Sequence, residues 1–230
     1  MDRFANRRQA GAVLGERLAR MRLDAPPVVL ALPRGGVPVG YEVARALNAP
    51  FDVFLVRKLG VPGHEELAMG AIARGGTRVL NHEVLELAEL TEDDVEHVAE
   101  VEQRELERRE RAYRGDRPPV DVAGKTAILV DDGLATGSTM RAAIQAVRAE
   151  NPKRVIVAVP VAASSVCDAL SREVDAIVCP QAPERFYAVG LWYEDFSQTT
   201  DEEVRELLAR AALERAPESG GPPTPDWGMR

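Results

Sequence analysis

Short apolar runs rich in β-branched residues recur along the chain at 28–32, 52–56, 126–130, 154–159 and 175–178. None alternates strictly between apolar and polar, the pattern expected of strands buried on both faces. Helical periodicity fills most of the gaps, over 37–47, 138–148 and 163–171. Strands alternating with helices predict an α/β fold, a doubly wound central parallel sheet flanked by helices. Ahead of the first strand, residues 6–20 carry Ala10, Val13, Leu14 and Leu18 at helical spacing, a covering amphipathic helix. Residues 91–114 predict a long charged helix. Thr91 and Asp94 form an N-terminal cap signature, acidic residues lead, and Arg104, Arg108, Arg109 and Arg111 crowd the end. Its apolar positions, Val95, Val98, Val101 and Leu106, make one thin stripe. That stripe fits a solvated helix packed along one side, or an arm lying over a site or across a subunit contact. Residues 1–213 read as one domain. The prolines at 217, 222, 223 and 225 make 214–230 a disordered tail.

Composition changes this picture little. At 230 residues, 45% hydrophobic and 29% charged, the chain can bury a core without disulfides or a structural metal. No run approaches the ~20 apolar residues of a membrane span, and the first residues lack the apolar stretch of a signal peptide, so a cytoplasmic location is the default. Cys167 and Cys179 lie in apolar segments and read as buried reduced thiols. A net charge of -8 argues against a nucleic-acid partner but leaves room for a small phosphorylated ligand in a local electropositive pocket.

The segment from Ile128 to Met140 carries the chemistry. It starts as a buried strand, passes two carboxylates, Asp131 and Asp132, and turns through small and hydroxylated residues, Gly133, Ala135, Thr136, Gly137, Ser138 and Thr139, into a helix. Ligands of open α/β sheets sit at the carboxyl ends of the strands, where this turn lies. Unpaired N–H groups and the helix dipole favour an anion there, and small residues allow its close approach. Adjacent carboxylates would repel a bare phosphate. They fit a ligand that also presents vicinal hydroxyls and a divalent cation, and they can stabilise positive charge developing on a ribose ring. The Walker and Rossmann glycine patterns are both absent.

This string resembles the phosphoribosyl pyrophosphate (PRPP) loop of type I phosphoribosyltransferases. The resemblance implies that Asp131 and Asp132 hold the ribose hydroxyls and help bind Mg2+, and that Ala135, Thr136, Gly137, Ser138 and Thr139 cradle the 5-phosphate. A second small-residue turn, Leu32-Pro33-Arg34-Gly35-Gly36, also closes a strand and opens a helix. By the same resemblance Arg34 and Gly35 are pyrophosphate ligands. Arg57 and Lys58 follow the next apolar run, where two cations would neutralise a departing pyrophosphate. Gly60, Pro62, Gly63 and Gly70 predict a loop over 61–72, with His64, Glu65 and Glu66 as acid–base candidates. The aromatic stretch 186–196 resembles the family's hood, which makes Trp192 the candidate for stacking on a base. Ala135 stands where the 6-oxopurine enzymes carry a general-base aspartate. The expected reaction is therefore transfer of ribose 5-phosphate from magnesium-bound PRPP to a nitrogenous base other than a 6-oxopurine. A small-molecule acceptor and a homodimer are implied by the resemblance. A nucleotide-sensing regulator of the same fold, or a hydrolase acting on a phosphoribosyl compound, stays open.

Overall fold

The computed structural model describes residues 3–215. Its central sheet contains β1 (Pro27–Ala31), β2 (Phe51–Val53), β6 (Thr126–Val130), β7 (Arg154–Ala158) and β8 (Ala176–Val178), all parallel, in the order β2-β1-β6-β7-β8. Successive residues of each central strand serve opposite layers. Val28, Leu30, Leu129, Val155 and Val157 pack on Met140, Ile144 and Val147 of α5 (Ser138–Ala149). Val29, Ile128, Val130 and Ile156 pack on Leu14 and Leu18 of α1 (Arg7–Ala19) and Val39 and Val43 of α2 (Gly36–Leu47). Both sets are apolar because both faces are covered, which explains the missing alternation. Helix α6 (Ser164–Leu170) covers the α5 side.

Helix α1 begins at an Asn6 cap whose side chain accepts from Gln9 N at 3.0 Å. It crosses α2 closely. A Cβ on Gly11 would stand 2.6 Å from the Val39 carbonyl oxygen, and one on Gly15 would stand 2.7 Å from the Ala46 Cβ. Glycines at these two positions let the helix backbones approach to near contact.

The apolar run over 52–56 is not one strand. β2 ends at Val53, Phe54 and Leu55 cross between layers fully buried, and β3 (Val56–Val61) opens a separate sheet with β4 (His64–Ala73) and β5 (Arg78–Leu80). The sheet switch is hidden in sequence because apolar side chains continue through it. The expected loop over 61–72 is instead an antiparallel hairpin, turning at Pro62 and Gly63, with Gly63 at φ +77°. Bulged pairing near Gly60 accounts for the glycine there.

A short helix, α3 (His82–Leu87), leads to α4 (Glu92–Arg114), whose Thr91 and Asp94 form a complete capping box. α4 buries Val95, Ala99, Leu106 and Tyr113 against Leu59, Met69 and Ile72 of the small sheet and against Val204, Leu207 and Leu208 of α7 (Asp201–Arg215). The packed stripe runs through Ala99, while Val101 is half exposed. The long helix is thus a packed element with a solvated outer face. α7 starts where Thr200 Oγ1 accepts from Glu203 N at 3.1 Å, followed by an acidic first turn. Of the segment expected to be a tail, Glu214 and Arg215 end α7, and the remainder lies outside the described residues.

A buried ionic knot ties these layers together. Asp52 accepts from Arg114 Nε at 3.0 Å and from the backbone N–H groups of Val53 and Val120, with Arg74 3.8 Å away. Arg74 in turn pairs with Glu150 through Nε at 2.8 Å. Asp52, Arg74 and Arg114 are each less than a tenth exposed. Among the described residues no helix is long and apolar enough to cross a membrane.

Candidate functional site

Asp131 and Asp132 directly follow β6, and the turn over 33–36 follows its neighbour β1, so the two loops meet side by side. Leu32 N donates to the Val130 carbonyl at 2.8 Å and carries the strand pairing into the loops. Their approach leaves no room for side chains. A Cβ on Gly35 would lie 2.0 Å from Asp132 Oδ2, and one on Gly36 would lie 2.7 Å from the Val130 carbonyl oxygen. The structure therefore brings Arg34, Gly35, Asp131 and Asp132 together at the carboxyl end of the sheet. Gly35→Ala should lower stability by about 1–3 kcal/mol through this overlap, a loss that urea unfolding checks.

The two carboxylates differ in setting. Asp131 Oδ1 accepts from Asp132 N at 2.8 Å. Burial in surrounding protein, then the nearby Asp132 charge, pushes the Asp131 carboxyl well above the ordinary aspartate range. Asp132 is raised by burial too, but Arg7 opposes the shift. Arg7 Nε lies 2.8 Å from Asp132 Oδ2, and the two side chains are only 11% and 14% exposed. Both aspartates keep partial access to solvent, so a polar ligand can reach them. Such a pair is costly while empty and is relieved by hydrogen-bond donors or a cation.

Beyond the aspartates, Leu134 N donates to the Val161 carbonyl at 3.0 Å, and Gly133 sits tight against Val189 and Val161. The loop is thereby anchored at its base. Its tip is open: Ala135, Thr136, Ser138 and Thr139 flank Gly137, which holds a left-handed φ of +72° as the residue before α5, and Ala135, Thr136 and Thr139 are exposed. The first N–H groups of α5 point from this tip, as an anion cradle requires. Arg141 Nη1 fastens the Thr136 carbonyl at 3.1 Å, which orients the turn from behind.

The sequence alone does not reveal the hood's contacts. Arg7 Nη1 donates to the Ser197 carbonyl at 2.6 Å, and its guanidinium lies 3.9 Å from the Phe196 ring centre. Tyr193 Oη donates to the Asp132 carbonyl at 2.6 Å, and burial raises its pKa, so the phenol stays protonated. Trp192 is half-buried with Phe4, Ala10, Val161 and Tyr193, and its carbonyl accepts from Phe4 N. Trp192 closes the 3-10 turn Val189–Trp192 and Tyr193 begins the extended segment after it, so Tyr193 is the aromatic that reaches the Asp132 carbonyl. Arg57 and Lys58 are also displaced from their expected place. They sit inside β3, not at the carboxyl end of a central strand, and Arg57 pairs with Glu102 of α4. They line a cavity shared with Gly60, Pro62, Glu65 and Val98. His64 and Glu65 are exposed near the hairpin turn.

Residues 6–179 match the family model for the phosphoribosyl transferase domain. The chain belongs to the phosphoribosyltransferase family. It is 44% identical over 211 residues to a Mycobacterium tuberculosis protein provisionally named a phosphoribosyl transferase, a match covering 92% of this chain and 47% of that one. The chain thus spans about half the length of the curated relatives it matches. The crystal structure of TT1426 from Thermus thermophilus superposes with a TM-score of 0.83 at 44% identity, covering 90% of this chain and 98% of that one. A bifunctional protein PyrR of Chloroflexus aurantiacus is 33% identical over 123 residues, half of this chain and 58% of its own length. In phosphoribosyltransferase terms, the paired aspartates and the loop after them occupy the β6–α5 junction inside the matched region.

Proposed function

We propose that the protein transfers ribose 5-phosphate from magnesium-bound PRPP to a nitrogenous base other than a 6-oxopurine, releasing pyrophosphate. The carrying observation is the juxtaposition of a glycine turn, two half-buried carboxylates and an open anion cradle at neighbouring strand ends. Thr136, Ser138 and Thr139, with the N–H groups of 135–139, hold the 5-phosphate. Asp131 and Asp132 accept hydrogen bonds from the ribose hydroxyls. Arg34 and the backbone at Gly35 face the pyrophosphate. Catalysis follows from positioning and charge, because carboxylates beside the ribose stabilise a ribosyl cation as the bond to pyrophosphate breaks.

The donor set fits magnesium. A substrate-bridged ion needs one or two protein carboxylates, with phosphate and water supplying the rest, and Asp131 and Asp132 meet that requirement. When bound, the ion would neutralise charge on the leaving pyrophosphate. Ala135 leaves the centre of the loop without a carboxylate base, which supports an acceptor that does not need one there. Trp192 is left out of the acceptor assignment, as are Arg57 and Lys58 of the pyrophosphate assignment.

Calorimetric titration with PRPP and magnesium tests the reading, with micromolar binding expected. Absence of binding at millimolar ligand would refute it. PRPP consumption that proceeds equally without any base would favour a hydrolase instead.

A further inference from the structure

We propose that the outer flank of the 33–36 turn carries a diphosphate-binding subsite built by Arg34 together with Arg108 and Arg109 of α4. The inference rests on the phosphoribosyl reading above and adds to it a helix that lies outside the central sheet. Arg34, Arg108 and Arg109 line a cavity of about 280 Å³ with Pro33, Tyr113 and Asp201. One wall is the turn assigned to pyrophosphate, and the opposite wall is the arginine-rich end of α4.

The charges are placed for a polyanion. Three guanidinium groups line the cavity with one carboxylate, Asp201, and a second carboxylate, Glu105, pairs with two of them. Glu105 receives Arg108 Nε at 2.8 Å and Arg109 Nε at 2.7 Å. These bonds hold the Glu105 carboxyl down to about 2, so it stays ionised and orients both arginines near neutral pH. Arg109 uses only Nε for this contact, and among the described residues its terminal nitrogens make no other hydrogen bond. Across the cavity, Asp201 lies 3.6 Å from an Arg34 Nη and accepts from Tyr113 Oη at 2.8 Å. A diphosphate can displace the loose Arg34–Asp201 pair and bridge Arg34 to Arg109. Planar guanidinium forks match phosphate oxygens in a way that lysines do not. The i,i+3 and i,i+4 pairs alone would explain a solvated helix face. They do not explain why that face shares a cavity with Pro33 and Arg34.

The test uses the whole chain and two probes, magnesium pyrophosphate and ribose 5-phosphate. Arg108→Gln/Arg109→Gln should lower pyrophosphate affinity at least tenfold while ribose 5-phosphate affinity, set by the 135–139 loop, changes less than twofold. Unchanged pyrophosphate affinity overturns the subsite, and so does an equal loss for both probes with a lower melting temperature. Wild-type protein that binds ribose 5-phosphate and PRPP, with no change on altering α4, sinks only the subsite, whereas wild-type protein that binds neither sinks the phosphoribosyl reading itself. Pyrophosphate displaced by saturating PRPP marks the cavity as the seat of the substrate's own diphosphate. Pyrophosphate that binds alongside PRPP marks it as the seat of a separate diphosphate effector.

Discussion

Replacing both Asp131 and Asp132 with asparagine is expected to lower affinity for magnesium-bound PRPP by at least about 100-fold. Hydrogen bonds to a charged group contribute roughly 1.5–3 kcal/mol each, and two ribose hydroxyls lose them together. At about 1.4 kcal/mol per factor of ten, the combined loss passes two orders of magnitude. Asparagine keeps the shape, so the effect reports charge. The stability of the ligand-free protein should move the other way for Asp131→Asn alone. The folded Asp131 carboxyl has its pKa raised above the ordinary 3.8. Such a group favours the fold fully only below its unfolded value, and that contribution is lost as pH rises through the higher folded value. At neutral pH the ionised carboxyl therefore weakens the empty protein, and asparagine should raise the melting temperature while flattening its decline above acid pH. Undiminished PRPP affinity in the double variant, measured by calorimetry, would rule out the carboxylates as ribose ligands.

Asp52→Ala should be the most damaging substitution away from the site, costing about 3–5 kcal/mol. The carboxylate holds Arg114 and the Val53 and Val120 N–H groups, with Arg74 close by. Its removal leaves two guanidinium groups buried beside a void. For a domain of this size the loss corresponds to a fall in melting temperature of roughly 6–20 °C. Replacing Arg57, whose Glu102 partner is far more exposed, should cost less than about 1 kcal/mol. Urea unfolding of the two variants side by side checks the contrast, and equal losses would mean the knot has no special weight.

The parallel sheet was legible because its determinants are local. Apolar runs of strand length, helical spacing between them and the capping signature at Thr91 survive in any context. The same holds for the β6–α5 loop, whose aspartates, small residues and hydroxyls are contiguous. What escaped depends on partners distant in sequence. Phe54 and Leu55 are apolar whether they continue a strand or cross between sheets, so the small antiparallel sheet was invisible as such. Arg7 lies 125 residues from Asp132, in a helix start that reads as ordinary polar surface. Tyr193 follows a 3-10 turn that Trp192 closes, and nothing in the residue types marks that boundary. α7 carries a signal in Thr200 and its acidic first turn, but a proline-rich stretch follows its end closely.

The glycine-lined crossing of α1 over α2 has a bearing on how substrate enters. Because those helices touch main chain to main chain, the base of Arg7 is bolted to the same scaffold that carries the Gly35 turn. A ligand reaching Asp132 would thus meet a counter-ion whose helix is held fixed. Through its contacts with the Ser197 carbonyl and the Phe196 ring, the same arginine ties the aspartate to the aromatic C-terminal stretch.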